Sequence, residues 1–138
     1  MKTIILYYSF SGRTKMLAVK KAFEINADIE EITEVKKPSM FTAFIPGVFR
    51  AIKRKKAKIK PIAADMANYD QITIMAPVWA SHPAPAFNNI AEHIPSGKKI
   101  EIIMVSAGGG SKDSMKKTIK LFTDRGCEVV NYADVTAK

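Results

Sequence analysis

The sequence predicts an α/β fold, a three-layer sandwich in which a five-stranded parallel sheet of order 2-1-3-4-5 is covered by helices on both faces. Three observations carry that expectation. Apolar runs and amphipathic stretches alternate along the chain as β-α-β-α-β-α-β-α-β, the order of a sheet built with crossover helices. The run from Lys2 to Tyr8 is continuously apolar, as suits a strand buried on both faces, and two later runs read as buried strands as well. Three of the runs break into loops of small, polar or proline residues, and ligands of such sheets bind at the strands' carboxyl ends. Right-handed crossovers leave few topologies, and the order chosen puts a switch point between strands one and three.

The first strand is expected from Lys2 to Tyr8, rich in Ile and Tyr, with Ser9 to Thr14 breaking it. From Thr14 to Ile25, Met16, Leu17, Val19, Ala22 and Phe23 recur at helical spacing among Lys15, Lys20, Lys21 and Glu24. Asp28 to Val35 alternates imperfectly between apolar residues and acids, consistent with a short edge strand. Pro38, Pro46, Gly47 and Pro61 interrupt any single long helix in the next segment, which leaves a loop and then a helix from about Gly47 to Lys58. Its Phe41, Phe44, Val48, Phe49 and Ile52 make one apolar face. Asp70 to Ala76 is a second buried strand ending at Pro77, and Ile100 to Val105 a third ending at Ser106. Pro85 to Ile94 and Ser111 to Arg125 are helical by pattern, the latter with Met115, Ile119 and Phe122 on one side and Gly126 as its stop. A last strand spans Glu128 to Val135.

A chain of 138 residues fits one domain, residues 1–138, and a content of 47% hydrophobic and 25% charged residues excludes disorder throughout. Cys127 is alone, so it closes no intrachain disulfide and supplies no cysteine-based zinc site; it reads as a small buried residue in a reducing compartment. Ser9, Ser11 and Arg13 cut the first apolar run, and Arg50 with Lys53 the second, below the roughly 18–20 residues of a membrane span. The stretch Met1 to Leu6 is too short, and lacks the cleavage-like site, for a signal peptide. A cytoplasmic location is expected.

Net charge is +9, from 22 Lys and Arg against 13 Asp and Glu. Nine of the basic residues (Lys36, Lys37, Arg50, Lys53, Arg54, Lys55, Lys56, Lys58, Lys60) fall between Val35 and Ala64 with no acid among them, so the rest of the chain is formally neutral. Such a run serves either as a solvated helix face or as a docking surface for an anionic partner.

The first loop, Ser9-Phe10-Ser11-Gly12-Arg13-Thr14, puts three hydroxyls and a glycine at a helix start. Unpaired N–H groups and the positive end of the helix dipole suit a phosphate there; plain capping by Ser11 or Thr14 is the simpler alternative. Without a Walker lysine or a G-x-G-x-x-G spacing, ATP hydrolysis and a Rossmann dinucleotide site are poorly supported. The second loop, Pro77-Val78-Trp79-Ala80-Ser81-His82-Pro83-Ala84-Pro85, holds the only tryptophan, which suits either a core position or a platform for a planar ring. The third, Ser106-Ala107-Gly108-Gly109-Gly110-Ser111, is the only glycine run; it makes either a close backbone approach to a ligand or a flexible turn. His82 and His93 read as surface residues.

Together these three loops resemble the flavodoxin family, over nearly the whole chain. The resemblance implies a flavodoxin-like fold and FMN as cofactor. Ser9, Phe10, Ser11, Gly12, Arg13 and Thr14, of pattern [ST]-x-[ST]-G-x-T, then hold the phosphate. Pro77, Val78, Trp79, Ala80 and Ser81 line ribityl and ring, and Ser106, Ala107, Gly108 and Gly109 bond the ring edge. No catalytic residue and no metal ligand is implied.

The resulting expectation is an FMN-binding redox protein that mediates electron transfer with a redox partner protein, acidic if it docks on the basic segment. The alternatives are an NAD(P)H-dependent FMN or quinone reductase, and a flavin-free basic module that binds nucleic acid or an anionic membrane. The shuttle is favoured over a stand-alone enzyme, and neither specific nucleic-acid recognition nor a membrane span is expected. The sequence ends at Lys138 with no residues for a helix after the last strand, so a bare apolar sheet face beside the first helix, and self-association as a homo-oligomer, are expected too.

Overall fold

The computed structural model describes residues 2–35 and 57–137. The helix expected from Gly47 to Lys58, its phenylalanines and seven of the nine clustered basic residues lie largely outside the described residues. Within them the order is β1 (Thr3–Tyr7), α1 (Arg13–Ile25), β2 (Asp28–Glu31), a 3₁₀ turn (Met66–Asn68), β3 (Gln71–Trp79), β4 (His82–Pro83), α2 (Ala86–His93), β5 (Lys99–Ser106), a 3₁₀ turn (Lys112–Ser114), α3 (Met115–Thr123) and β6 (Glu128–Thr136).

β2, β1, β3, β5 and β6 form a parallel sheet in that order, the 2-1-3-4-5 arrangement expected, with β4 as an extra antiparallel arm on the end of β3. Alternation along each strand sorts the core into two layers. Ile4, Leu6, Ile72, Ile74, Ile100, Ile102 and Met104 face α2 and α3, where Phe87 and Phe122 meet edge to face at 5.8 Å. Ile5, Tyr7, Met75, Ile103 and Val105 face α1. Cys127 is buried, and its thiol donates to the carbonyl of Pro95 at 3.2 Å.

α1 turns a different face inward from the one its largest apolar residues suggest. Thr14, Ala18 and Ala22, four apart, are buried, while Met16, Val19 and Phe23 are exposed, Phe23 to 90%. Small side chains let the helix axis lie close to the sheet, and Leu17 covers one flank.

The sheet face beside α1 is not the bare apolar surface expected. Ile103 and Val105 are buried there, and toward the amino ends of the strands the face turns polar. The Glu101 carboxylate accepts from Thr73 Oγ1 and Asn131 Nδ2, both at 2.9 Å, with Lys21 Nζ at 3.4 Å. Burial works to raise the Glu101 pKa, but the Asn131 and Thr73 hydrogen bonds and the Lys21 charge outweigh it and hold it below the usual 4.5. A depressed carboxyl pKa contributes stability above the unfolded value and loses it as pH falls through the folded one. Lys21→Met is therefore expected to be less stable than the parent at pH 7 and to lose less stability as pH falls below about 5, so that the two converge in acid, in urea melts taken between pH 3 and 7.

Two strand boundaries differ from expectation by more than two residues, and α3 begins at Met115, after a 3₁₀ turn, rather than at Ser111. β3 runs through Pro77 to Trp79, because the Pro77 carbonyl accepts from Ala84 N–H at 3.0 Å and no donor is needed from the proline. β2 stops at Glu31, and beyond it Glu34 bridges Ile59 in an antiparallel step. As an edge β2 is short and carries Asp28, Glu30 and Glu31; Glu30 accepts from the N–H groups of Ala63 and Ala64, and Asp28 from the Tyr69 hydroxyl. Among the described residues no helix is long and apolar enough to cross a membrane.

Candidate functional site

The three loops leave adjacent strands β1, β3 and β5 at the same end of the sheet. Tyr7 stands level with Met75, and Met75 with Ile103, so the three strands that carry the loops run side by side at the usual spacing of about 4.8 Å.

In the first loop, Ser9 is 9% exposed and its Oγ accepts from the N–H groups of Gly12 at 3.1 Å and Lys15 at 3.2 Å. Ser9, rather than Ser11 or Thr14, therefore caps α1. Its two acceptor positions are filled and its hydroxyl proton is still available to an anion. Gly12 adopts φ +95°, and a Cβ there would meet no atom within 4 Å. The N–H groups of Arg13 and Thr14 have no acceptor among the described residues, and the first turn of α1 contains no acid. The result is a positive helix end at which Ser9 occupies the Gly12 and Lys15 N–H groups and leaves those of Arg13 and Thr14, open above Gly12. Ser11 and Arg13 are exposed, and Thr14 is buried at 2%.

The second loop is a hairpin. Val78 pairs with Pro83 and Trp79 with His82, and both turn residues have positive φ, Ala80 at 51° and Ser81 at 65°. That geometry matches a type I′ turn, which usually requires Asn-Gly; here it costs about 1–2 kcal/mol per residue of left-handed strain. Ala80→Gly is expected to raise stability by roughly 0.5–1 kcal/mol, the relief being partly offset by glycine's larger unfolded-state entropy, and thermal melts measure it. Trp79 is half-buried, edge to face with Phe10 at 5.7 Å and with Tyr8 at 6.4 Å, so the first two loops touch. Val78 packs into the core instead, and Ala80 is exposed.

The third loop closes on itself, with Gly110 N–H donating to Ser106 Oγ at 3.2 Å. Ala107, Gly108 and Gly109 are exposed, and added Cβ atoms at the two glycines would meet nothing within 4 Å. Behind them Ser111, fully buried, donates through Oγ to Asp134 at 2.6 Å and through N–H at 3.0 Å, and bonds the Tyr132 hydroxyl. Ser114 Oγ reaches the Ser81 carbonyl at 2.6 Å, joining the third loop to the second.

A fourth segment reaches this rim. Asn89 clamps Ala57 through both backbone groups, at 2.9 and 2.8 Å, and Ile59 packs beside Tyr8 and Trp79. Lys58 and Lys60, exposed on either side of Ile59, thus stand next to the loops. The Tyr8 hydroxyl is buried without a well-aligned hydrogen bond; burial, then the Glu34 carboxylate near it, push its pKa up. Burial and Glu31 do the same to Tyr7. Two open hollows lie at the other end of the sheet, one lined by Lys2, Asn26 and Asp28, the other by Met66, His93 and Arg125, remote from these loops.

All fifteen candidate residues lie on these loops or their strand ends, but Ser9 turns its acceptor side inward and Val78 belongs to the core. The contributions of Ile59, Ser114, Tyr132 and Asp134 have no local signature, since each partner lies 20 to 51 positions away.

No protein-family model matches the sequence, and a search of curated proteins found no match. Solved structures do. The flavoprotein of Lactobacillus acidophilus NCFM matches in complex with FMN, at 24% identity and TM-score 0.76 over 96% of this chain and 92% of that one. Its apo form matches at 26% identity and TM-score 0.69, over 97% and 92%. Oxidised flavodoxin 1 of Bacillus cereus matches at 18% identity and TM-score 0.54, over 100% and 87%. The chain has the flavodoxin-like fold, as the three loops suggested.

Proposed function

We propose that the protein is an FMN-binding redox protein that passes electrons to and from a partner. One observation carries the reading: three loops on adjacent strands converge at the carboxyl rim around an α1 N-terminus whose Arg13 and Thr14 N–H groups have no acceptor among the described residues, with open space above Gly12. The donor set fits a phosphate. Arg13 and Thr14 N–H groups and the Ser9, Ser11 and Thr14 hydroxyls supply bonds, Arg13 supplies charge, and no nearby acid in α1 opposes it. Phe10 and Trp79 offer an aromatic wall beside that cradle, with Pro77, Ala80 and Ser81 along the hairpin. Ser106, Ala107, Gly108 and Gly109 offer backbone groups to the polar edge of a ring. The FMN complex of the Lactobacillus acidophilus flavoprotein, whose fold this chain shares, supports the choice of cofactor.

When bound, FMN supplies the redox chemistry; the chain binds it, orients it and keeps bulk water from one side of its ring. Lys58 and Lys60 at the rim favour an acidic face on the partner. An absorption spectrum of the purified protein, followed by FMN titration, tests the reading: an oxidised-flavin band or stoichiometric uptake is expected. Colourless protein that refuses added FMN overturns it in favour of a basic binding module. Steady-state NADPH oxidation by the pure holoprotein separates a reductase from the shuttle proposed here, which is expected to turn over only with its partner.

A further inference from the structure

We infer that Ser114 is a positioning residue, the latch that fixes the Trp79–His82 turn against the third loop and so determines where Trp79 stands at the rim. Its effect on cofactor binding rests on the FMN reading, whereas the latch itself rests on geometry alone. The turn places Ala80 and Ser81 in the left-handed region without a glycine or an asparagine. Backbone of that kind persists only where its surroundings over-determine it.

Both carbonyls of the turn are engaged. Ala80 O meets His82 Nδ1 at 2.7 Å, a local bond two residues long. Ser81 O accepts from Ser114 Oγ at 2.6 Å, across 33 positions of sequence, and Ser114 is 1% exposed. A hydroxyl has one proton, and the second acceptor near it, Ser111 O, is farther off at 3.2 Å, so the proton goes mainly to the hairpin.

Ser114 is itself held on both sides. Its N–H donates to Ser111 O at 3.1 Å and its carbonyl accepts from Thr118 Oγ1 at 2.9 Å. Ser111 in turn is bonded to Asp134 of β6. The hairpin tip is thereby tied through one hydroxyl to the frame of the third loop, and the two loops on either side of the proposed ring site move as one unit.

The test uses the full chain. Trp79 is the only tryptophan, so its emission reports on the hairpin directly. In ligand-free Ser114→Ala, amide exchange across residues 79–82 should quicken about tenfold and Trp79 emission should shift to the red, with β1 and β5 amides unchanged. The FMN dissociation constant should rise about tenfold, and Ser114→Cys, which keeps the volume and a weak donor, should fall between the two. Wild-type exchange at 79–82 with wild-type Trp79 emission overturns the latch, as does exchange that quickens uniformly over the whole sheet. Should Ser114→Ala not fold, the decision passes to Ser114→Cys, where unchanged turn exchange is the overturning result. If the parent protein takes up no FMN, the cofactor reading fails while the exchange and emission arms still decide the latch.

Discussion

Gly12→Val is expected to weaken FMN binding by about 100-fold, close to 2.7 kcal/mol, while the protein remains folded. The residue sits at φ +95° immediately before α1, and the space above it is empty for 4 Å around a Cβ. An isopropyl group there enters the volume assigned to phosphate oxygens. The left-handed conformation also becomes strained by about 1–3 kcal/mol for a β-branched residue, which turns the Arg13 and Thr14 N–H groups away from their common focus. Strain and occupancy are separable, because Gly97 offers a matched control. It has φ +84°, equal free space, and a place at the opposite end of the sheet, bonded to Gly126 O at 2.9 Å. Gly97→Val should lower the melting temperature comparably and leave FMN affinity at the parent value. Parent-like affinity in Gly12→Val refutes the phosphate assignment, and equal losses in both variants assign the effect to stability.

The second large effect is expected at Trp79. Trp79→Ala should weaken FMN roughly tenfold, or about 1–2 kcal/mol of ring contact, and restore much of the flavin fluorescence that the indole quenches. The indole does not act alone: Phe10 and Tyr8 hold it edge to face, and Ile59 packs against the same cluster. Its removal therefore also loosens the contact between the first two loops and lowers stability. Trp79→Phe keeps a flat apolar ring and should recover most of both properties. Unchanged fluorescence quenching in the alanine variant places the flavin elsewhere.

The sheet was legible because its information is local. Ile4 to Leu6, Ile72 to Met75 and Ile102 to Val105 are buried on both faces, and largely apolar runs of this length have no other economical fate in a protein of this size. The position of the three loops followed from that sheet, since carboxyl ends of adjacent parallel strands share one rim. The face of α1 was not legible. Counting large apolar residues favours Met16, Val19 and Phe23, but Thr14, Ala18 and Ala22 face inward because a helix lying close on a sheet selects for size as well as polarity. The hairpin was not legible either. Ala-Ser is no turn signature, and what sustains it is a hydroxyl 33 positions away, a contact that exists only after the chain has folded. The same holds for Ser111 with Asp134, and for Ile59, which enters the aromatic cluster from a segment with no motif of its own.

The acidic character of β2 bears on how copies of the molecule can meet. Asp28, Glu30 and Glu31 line a four-residue outer strand, and the far border of the sheet, β6, carries Glu128 and Asp134. Head-on annealing of one ribbon to another would bring like charges into neighbouring rungs, with little length over which to recover the cost. Growth into fibrils by lateral extension is thus discouraged at both borders, and any pairing of copies has to use side-chain surfaces instead of main-chain ones.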